Sequence, residues 1–189
     1  MDSPQVSHER VCKLNREPYE SGGVLYWMSR DQRVADNWAL LYAQHLAMEH
    51  EQPLAVAFCL VLEFERATRR HYDFMLEGLK EVEADLRKLA APFFLLQGKP
   101  EKVLRTFLSD HNVGMLITDF DPLRIKRAWR ERVAKGDEHL FQVLSRVWLA
   151  RLLALFFHGL TPVRCPRAQR GWPGLLLRLL WLHRQHVYR

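Results

Sequence analysis

Residues 24–44 read VLYWMSRDQRVADNWALLYAQ, an apolar run that passes into a polar cluster and then into a helical pattern. Val24, Leu25, Tyr26, Trp27 and Met28 follow the breaker pair Gly22 and Gly23. A run so rich in β-formers predicts a strand covered on both faces. Asp36 stands where a helix N-cap is needed, its carboxylate able to accept from the first free backbone N–H groups. Trp38, Leu41, Tyr42 and Leu46 then share one side of the helix. Ser29, Arg30, Asp31, Gln32 and Arg33 fall at the carboxyl end of the strand, where open α/β sheets bind ligands. The same charges could instead pair with one another and with neighbouring elements.

Working outward, further strands are expected at Leu54 to Leu62, Phe93 to Leu96 and Met115 to Thr118. Helices fill the gaps. Tyr72, Met75, Leu79, Val82, Leu86 and Leu89 recur at three- and four-residue steps, with Glu77, Glu81, Glu83 and Lys88 off the stripe. The next helix runs from Pro100 to Asp110, with proline in the first turn, where a missing N–H does no harm. Asp121 and Pro122 open a fourth helix through Leu123, Ile125, Ala128, Trp129 and Val133. Such βαβα alternation implies an α/β fold, a doubly wound, mostly parallel Rossmann-like sheet with right-handed crossovers.

The fold class alone would admit a dinucleotide, but that ligand needs glycines in the first strand-to-helix turn. Here the turn is Ser29 to Arg33, without one. Gly98, Lys99 and Pro100 lack the surroundings of a P-loop. Cys12, Cys59 and Cys165 are too scattered for a metal site, and Cys59 reads as a buried thiol in a strand. His45 and His50 flank Glu49, yet five residues of helix turn the two rings about 140° apart, so they cannot share an ion. No metal site and no catalytic residue is assigned. Arg124, Lys126, Arg127, Arg130 and Arg132 form a basic run that could meet phosphates or serve as a solvated face or a surface for another domain. Trp27, Trp38 and Trp129 read as core residues.

Two motifs go further. Trp27, Met28, Ser29, Arg30, Asp31, Gln32 and Arg33, then Asp36, Asn37, Ala39 and Leu40, resemble the opening of the photolyase and cryptochrome superfamily. With Thr118, Asp119, Phe120, Asp121, Pro122, Leu123 and Arg124, the match is similar to class II cyclobutane pyrimidine dimer photolyases in particular, over about residues 24 to 136. The resemblance implies that the first and fourth strands lie side by side. It also implies an antenna pigment, of deazaflavin or folate type, in this part of the molecule. By the resemblance, Met28, Ser29, Arg30, Asp31, Asn37, Asp119, Phe120 and Arg124 are candidates for its pocket wall. The backbone N–H groups of Leu123 and Arg124 would offer a carboxylate or phosphate the positive end of a helix.

The family's chemistry is light-dependent repair, in which the damaged nucleotides are flipped out of the stack and photoexcited reduced FAD donates an electron to the dimer. The resemblance places FAD, the electron-carrying tryptophans and the lesion pocket in a helical domain beyond this region. Damaged DNA is the partner of the full-length family, and weak or no DNA binding is expected from this chain. The chain is therefore expected to be unable to repair DNA by itself, with a non-enzymatic pigment- or partner-binding module, or a non-functional splice or gene-model fragment, as the alternatives.

Composition breaks after Glu138. Residues 139–189 hold eight arginines, thirteen leucines, three tryptophans, no lysine and no carboxylate, whereas residues 1–138 carry 20 basic and 22 acidic side chains. The net charge of +6 thus belongs to the tail. The expected organisation is a flexible segment over 1–23, the α/β domain over 24–138 and a divergent, helical or disordered tail over 139–189 in place of the flavin domain. Splicing, read-through or a frame change could produce such a tail. It could also lie on a membrane surface through Trp148, Leu149, Leu152, Leu153, Leu155, Phe156 and Phe157 beside Arg146 and Arg151. The uncharged run from Leu152 to Val163 is shorter than the ~20 residues a transmembrane helix requires. Glu138 to Leu144 reads as helical, which would leave the fourth strand as an exposed edge. Three scattered cysteines without a signal peptide point to an intracellular setting, nucleus or cytoplasm.

Overall fold

The computed structural model describes residues 6, 10–15, 17–19 and 21–135, and the backbone of 140–144. At its centre β2 (Gly23–Met28) pairs in parallel with β3 (Leu54–Leu60) on one side and β5 (Val113–Asp119) on the other, Tyr26 lying opposite both Val56 and Ile117. Beyond β3 lies β4 (Phe93–Gln97), and beyond β5 lies β6 (Leu140–Leu144), both parallel. A short strand, β1 (Val11–Lys13), closes the β6 edge antiparallel, giving the order β1-β6-β5-β2-β3-β4. The chain winds outward from β2 to β4, then crosses back to β5 and β6. Strand order therefore reverses between β2 and β5, the neighbours that the motifs anticipated.

Side-chain alternation along β2 divides the core. Val24, Tyr26 and Met28 join Val56, Met115 and Ile117 under α1 (Trp38–Glu49) and α2 (Arg69–Lys88). Leu25 and Trp27 join Ala57 and Leu116 under α3 (Pro100–Asp110) and α4 (Arg124–Lys135). Both faces of β2 are thus closed to water, as its unbroken apolar run requires.

Several expectations are corrected. The cap of α1 is Asn37, whose side chain accepts from Ala39 and Leu40, and not Asp36. Asp36 takes a left-handed φ of 52°, and this turn drops Asn37 into the extended conformation a cap needs. Trp38 and Leu41 do share the side of Tyr42 and Leu46, half-buried against the cluster that contains them. Leu89 is the C-cap of α2 and is exposed, because the helix ends one residue before it. Val11–Lys13, within the segment read as flexible, is strand. Residues 140–144, read as helical, form a strand too. A helix there would leave the N–H and C=O groups along one side of β5 unpaired, and Leu-Phe-Gln-Val-Leu is a competent strand sequence. The proposed membrane-surface and spliced-tail readings of 145–189 lie outside the described residues. Among the described residues no helix is long and apolar enough to cross a membrane.

Candidate functional site

The switch point between β2 and β5 is filled by the protein's own carboxylate. Asp119, last in β5 and 3% exposed, directs Oδ2 at the turn leaving β2. That oxygen accepts from the backbone N–H groups of Ser29 (3.3 Å), Arg30 (2.9 Å) and Asp31 (2.9 Å), and from the Tyr26 hydroxyl (3.2 Å). Successive amides turned on one point make an anion-binding nest, here occupied from within. Asn37 donates to the Tyr26 oxygen at 3.1 Å and to the carbonyls of Asp31 and Arg33, both at 2.9 Å, while its own carbonyl caps α1. Tyr26, Asn37 and Asp119 therefore lock the strand end, the turn and the helix together.

Burial raises the pKa of Asp119 above its ordinary value, against the lowering effect of the three amides. Its Oδ1 is buried and has no partner among the described residues. The Tyr26 hydroxyl is pushed well above its ordinary pKa by burial and then by the adjacent Asp119. In both groups burial in low-dielectric surroundings disfavours the charged form.

A second arrangement lies beside the first. Lys126, on the first turns of α4, donates to the Ser29 carbonyl at 3.1 Å and pairs with Asp121 at 3.0 Å. Asp121 also accepts from Leu123 N–H at 3.0 Å, so that amide is not open to a ligand. Arg130, far from solvated, is buried against the carbonyls of Asp119 and Asp121 and lies over the Phe120 ring at 5.3 Å. Desolvation lowers its pKa.

Lys126 forms one wall of a cavity of about 450 Å³ at the carboxyl ends of β2 and β3. Trp27, Met28, Phe58 and Cys59 form its floor, the segment 61–67 and the start of α2 one side, and Pro100, Trp129 and Lys126 the other. Tyr72 holds the first side in place: its hydroxyl donates to the Val61 carbonyl at 2.8 Å and accepts from Phe64 N–H at 3.0 Å. Burial pushes the Cys59 thiol upward, so it stays protonated. A planar apolar body with an oxygen-bearing edge suits these walls, which are aromatic and thioether surfaces with a few placed polar groups.

Of the eight residues proposed for a pocket wall, Met28 and Ser29 line this cavity. Arg30 and Asp31 give their amides to Asp119, Asn37 spends its side-chain amide and Asp119 its Oδ2 in the network, Phe120 lies beneath Arg130, and Arg124 is exposed on α4. The sequence reading missed Phe58, Phe64, Tyr72, Met75, Lys126 and Trp129 as cavity residues. The strand-end rule, applied to the loop after β3 as well as those after β2 and β5, would have pointed to the loop that carries Phe64.

A doubly wound module with a self-filled switch point and an apolar cavity beside it is the class that fold and site define. The sequence pattern of DNA photolyase matches residues 24–145, and the chain belongs to the DNA photolyase family. It is 54% identical over 128 residues to a deoxyribodipyrimidine photo-lyase of Potorous tridactylus, covering 66% of this chain and 24% of that protein. A deoxyribodipyrimidine photo-lyase of Arabidopsis thaliana is 44% identical over 114 residues, covering 60% of this chain and 23% of that one. The chain thus spans about a quarter of the length of these relatives. In fold it is similar to a class III photolyase of Agrobacterium tumefaciens, with a TM-score of 0.55 at 21% identity over 67% of this chain and 26% of the other. A Synechocystis cryptochrome gives 0.52 at 16% identity over 60% of this chain and 24% of its own.

Proposed function

We propose that residues 24–145 form the pigment-holding α/β module of a deoxyribodipyrimidine photolyase, serving light capture for repair of damaged DNA, and that this module does not itself split dimers. The observation that carries the reading is the cavity beside Lys126. Trp27, Phe58, Phe64 and Trp129 can sandwich a ring system, and Met28 and Met75 can fill round it. An ammonium has three N–H donors; Ser29 and Asp121 engage Lys126, and a further one is available to an oxygen of the pigment. A deazaflavin- or folate-type antenna has that chemistry. FAD, in this reading, belongs to the portion of the relatives that these residues do not align with, and the setting is intracellular.

The test is an absorption spectrum of the purified chain, followed by titration with FMN and with a reduced folate while tryptophan fluorescence is monitored. Saturable quenching by at least one of them is expected, without light-dependent dimer splitting. Repair by the purified chain alone would overturn the division of labour. Failure of every pigment to quench would overturn the antenna reading and favour a partner-binding module.

A further inference from the structure

The two helical layers use their charges differently. On α2, Arg69, Lys80, Arg87 and Lys88 each pair with an acid of the same helix, at 3.7, 3.0, 2.7 and 2.7 Å. On the opposite layer, Lys99, Lys102 and Arg105 at α3 and Arg124 and Arg127 on α4 are exposed, and none of these five side chains has an ion-pair or hydrogen-bond partner among the described residues. Residues 99–110 and 124–135 hold nine Lys and Arg against three acids, whereas α1 and α2 together hold five against six. One of the three acids, Glu101, is already taken by Arg132 at 3.2 Å; Asp110 and Glu131 are the others. Among the described helices the excess is not shared by α1 and α2. It lies on one face, where α3 and α4 pack against the same side of the sheet.

We infer that the α3/α4 face docks on the phosphate backbone of duplex nucleic acid, without regard to base sequence or lesion. Three features separate this partner from the others a positive face could take. Protein interfaces are anchored by buried aromatic or aliphatic groups, and among the described residues the only large apolar side chain exposed on this layer is Leu123, at its margin. Single-strand binders stack bases on exposed aromatic rings, and this layer exposes none among the described residues. Helices that lie in a membrane surface insert an apolar face, and here the apolar faces of both helices are spent on the core. Charge without apolar anchors is what a sequence-neutral duplex contact requires. An α-helix the length of α3 spans about 16 Å, enough for Lys102 and Arg105 to meet phosphates of one strand while Arg124 and Arg127 meet the other or its neighbours.

The test is fluorescence anisotropy of a labelled, undamaged duplex titrated with the full chain at about 50 and about 200 mM salt. K102E/R105E and R124E/R127E are each expected to weaken binding roughly tenfold at the lower salt and to flatten the salt dependence by about two phosphate contacts. K80E/K88E on α2 makes the same change of net charge and is expected to stay within about twofold, since its effect is only long-range and screened. Should K80E/K88E weaken binding as much, net charge alone is acting and the face is not a site. Unchanged binding in both α3/α4 variants would place the contact elsewhere, the arginine-rich 146–189 segment included, and would overturn the inference. So would loss of binding to phosphatidylserine vesicles with duplex binding intact. K102Q/R105Q and R124Q/R127Q replace any reversal that melts early by circular dichroism, and carry the same expectation at smaller amplitude.

Discussion

The carboxylate of Asp119 accepts from the backbone N–H of Arg30 at 2.9 Å, tying the end of β5 to the turn that leaves β2. A carboxylate held by several amides ordinarily titrates low, yet burial outweighs the amides here and raises Asp119 above its ordinary value. Folding thus disfavours ionisation of Asp119 relative to the unfolded chain. Its contribution to stability is full below the unfolded pKa of about 3.9 and is lost as pH rises through the folded value. D119N keeps an acceptor for the amides and has nothing to titrate. The urea midpoint of the native chain minus that of D119N should therefore fall as pH rises from about 4 toward neutrality, then level off. A difference independent of pH would sink the assignment.

Asn37 is fully buried and joins the cap of α1 to Tyr26 and two turn carbonyls. N37A removes the cap and strands the buried carbonyls, so a loss of about 2–4 kcal/mol is expected. N37D is the sharper variant. It keeps both cap acceptors but turns a carboxylate toward the carbonyls of Asp31 and Arg33, so its loss should match or exceed that of N37A in urea unfolding. Recovery of native stability in N37D would mean that the cap alone matters.

The position of that cap shows where the sequence stops being legible. Asp36 and Asn37 are adjacent residues with comparable capping propensity; the left-handed backbone at Asp36 decides between them, and only the tertiary setting reveals it. Periodic elements were legible because their signal is local: Pro100 to Asp110 was bounded as it stands, and Leu79, Val82 and Leu86 face the core. Residues 140–144 became strand because β5 offers an unpaired edge, which is not a property of those five residues. In the candidate site, the motif found the residues that close the switch point. It missed the cavity walls contributed by Phe64, Tyr72 and Lys126, which meet only through packing across layers.

Gly22 and Gly23 precede β2 as a pair, but the structure separates their roles. A Cβ on Gly22 would lie 2.6 Å from the Asn112 carbonyl oxygen and 2.6 Å from the Gly114 nitrogen, both backbone atoms that cannot swing away. On Gly23 the nearest contact would be 3.5 Å, from Pro53. G22A should lower stability by about 1–3 kcal/mol, the usual range for overpacking, by prising β2 from β5. G23A should be neutral or stabilising by up to about 1 kcal/mol through the unfolded chain. Thermal melts of the two variants distinguish these outcomes, and equal shifts would contradict the geometry.

Lys126 sits 19% exposed between Ser29, Asp121 and the cavity, its ammonium 6.0 Å from the centre of the Phe64 ring. If it binds an oxygen of the pigment, removing its charge should matter more for an anionic ligand than for a neutral one of the same ring size, because a charge-assisted hydrogen bond is roughly twice as strong as a neutral one. K126M is expected to weaken FMN by tenfold or more, about 1.4 kcal/mol, and the uncharged flavin-like ring lumichrome by much less. Y72F supplies the comparison. It releases the 61–64 turn from α2 without changing charge, so both ligands should weaken alike. Equal losses for the two ligands in K126M would reduce Lys126 to a strut for Asp121, while selective loss of FMN would make it the residue that chooses an anionic edge.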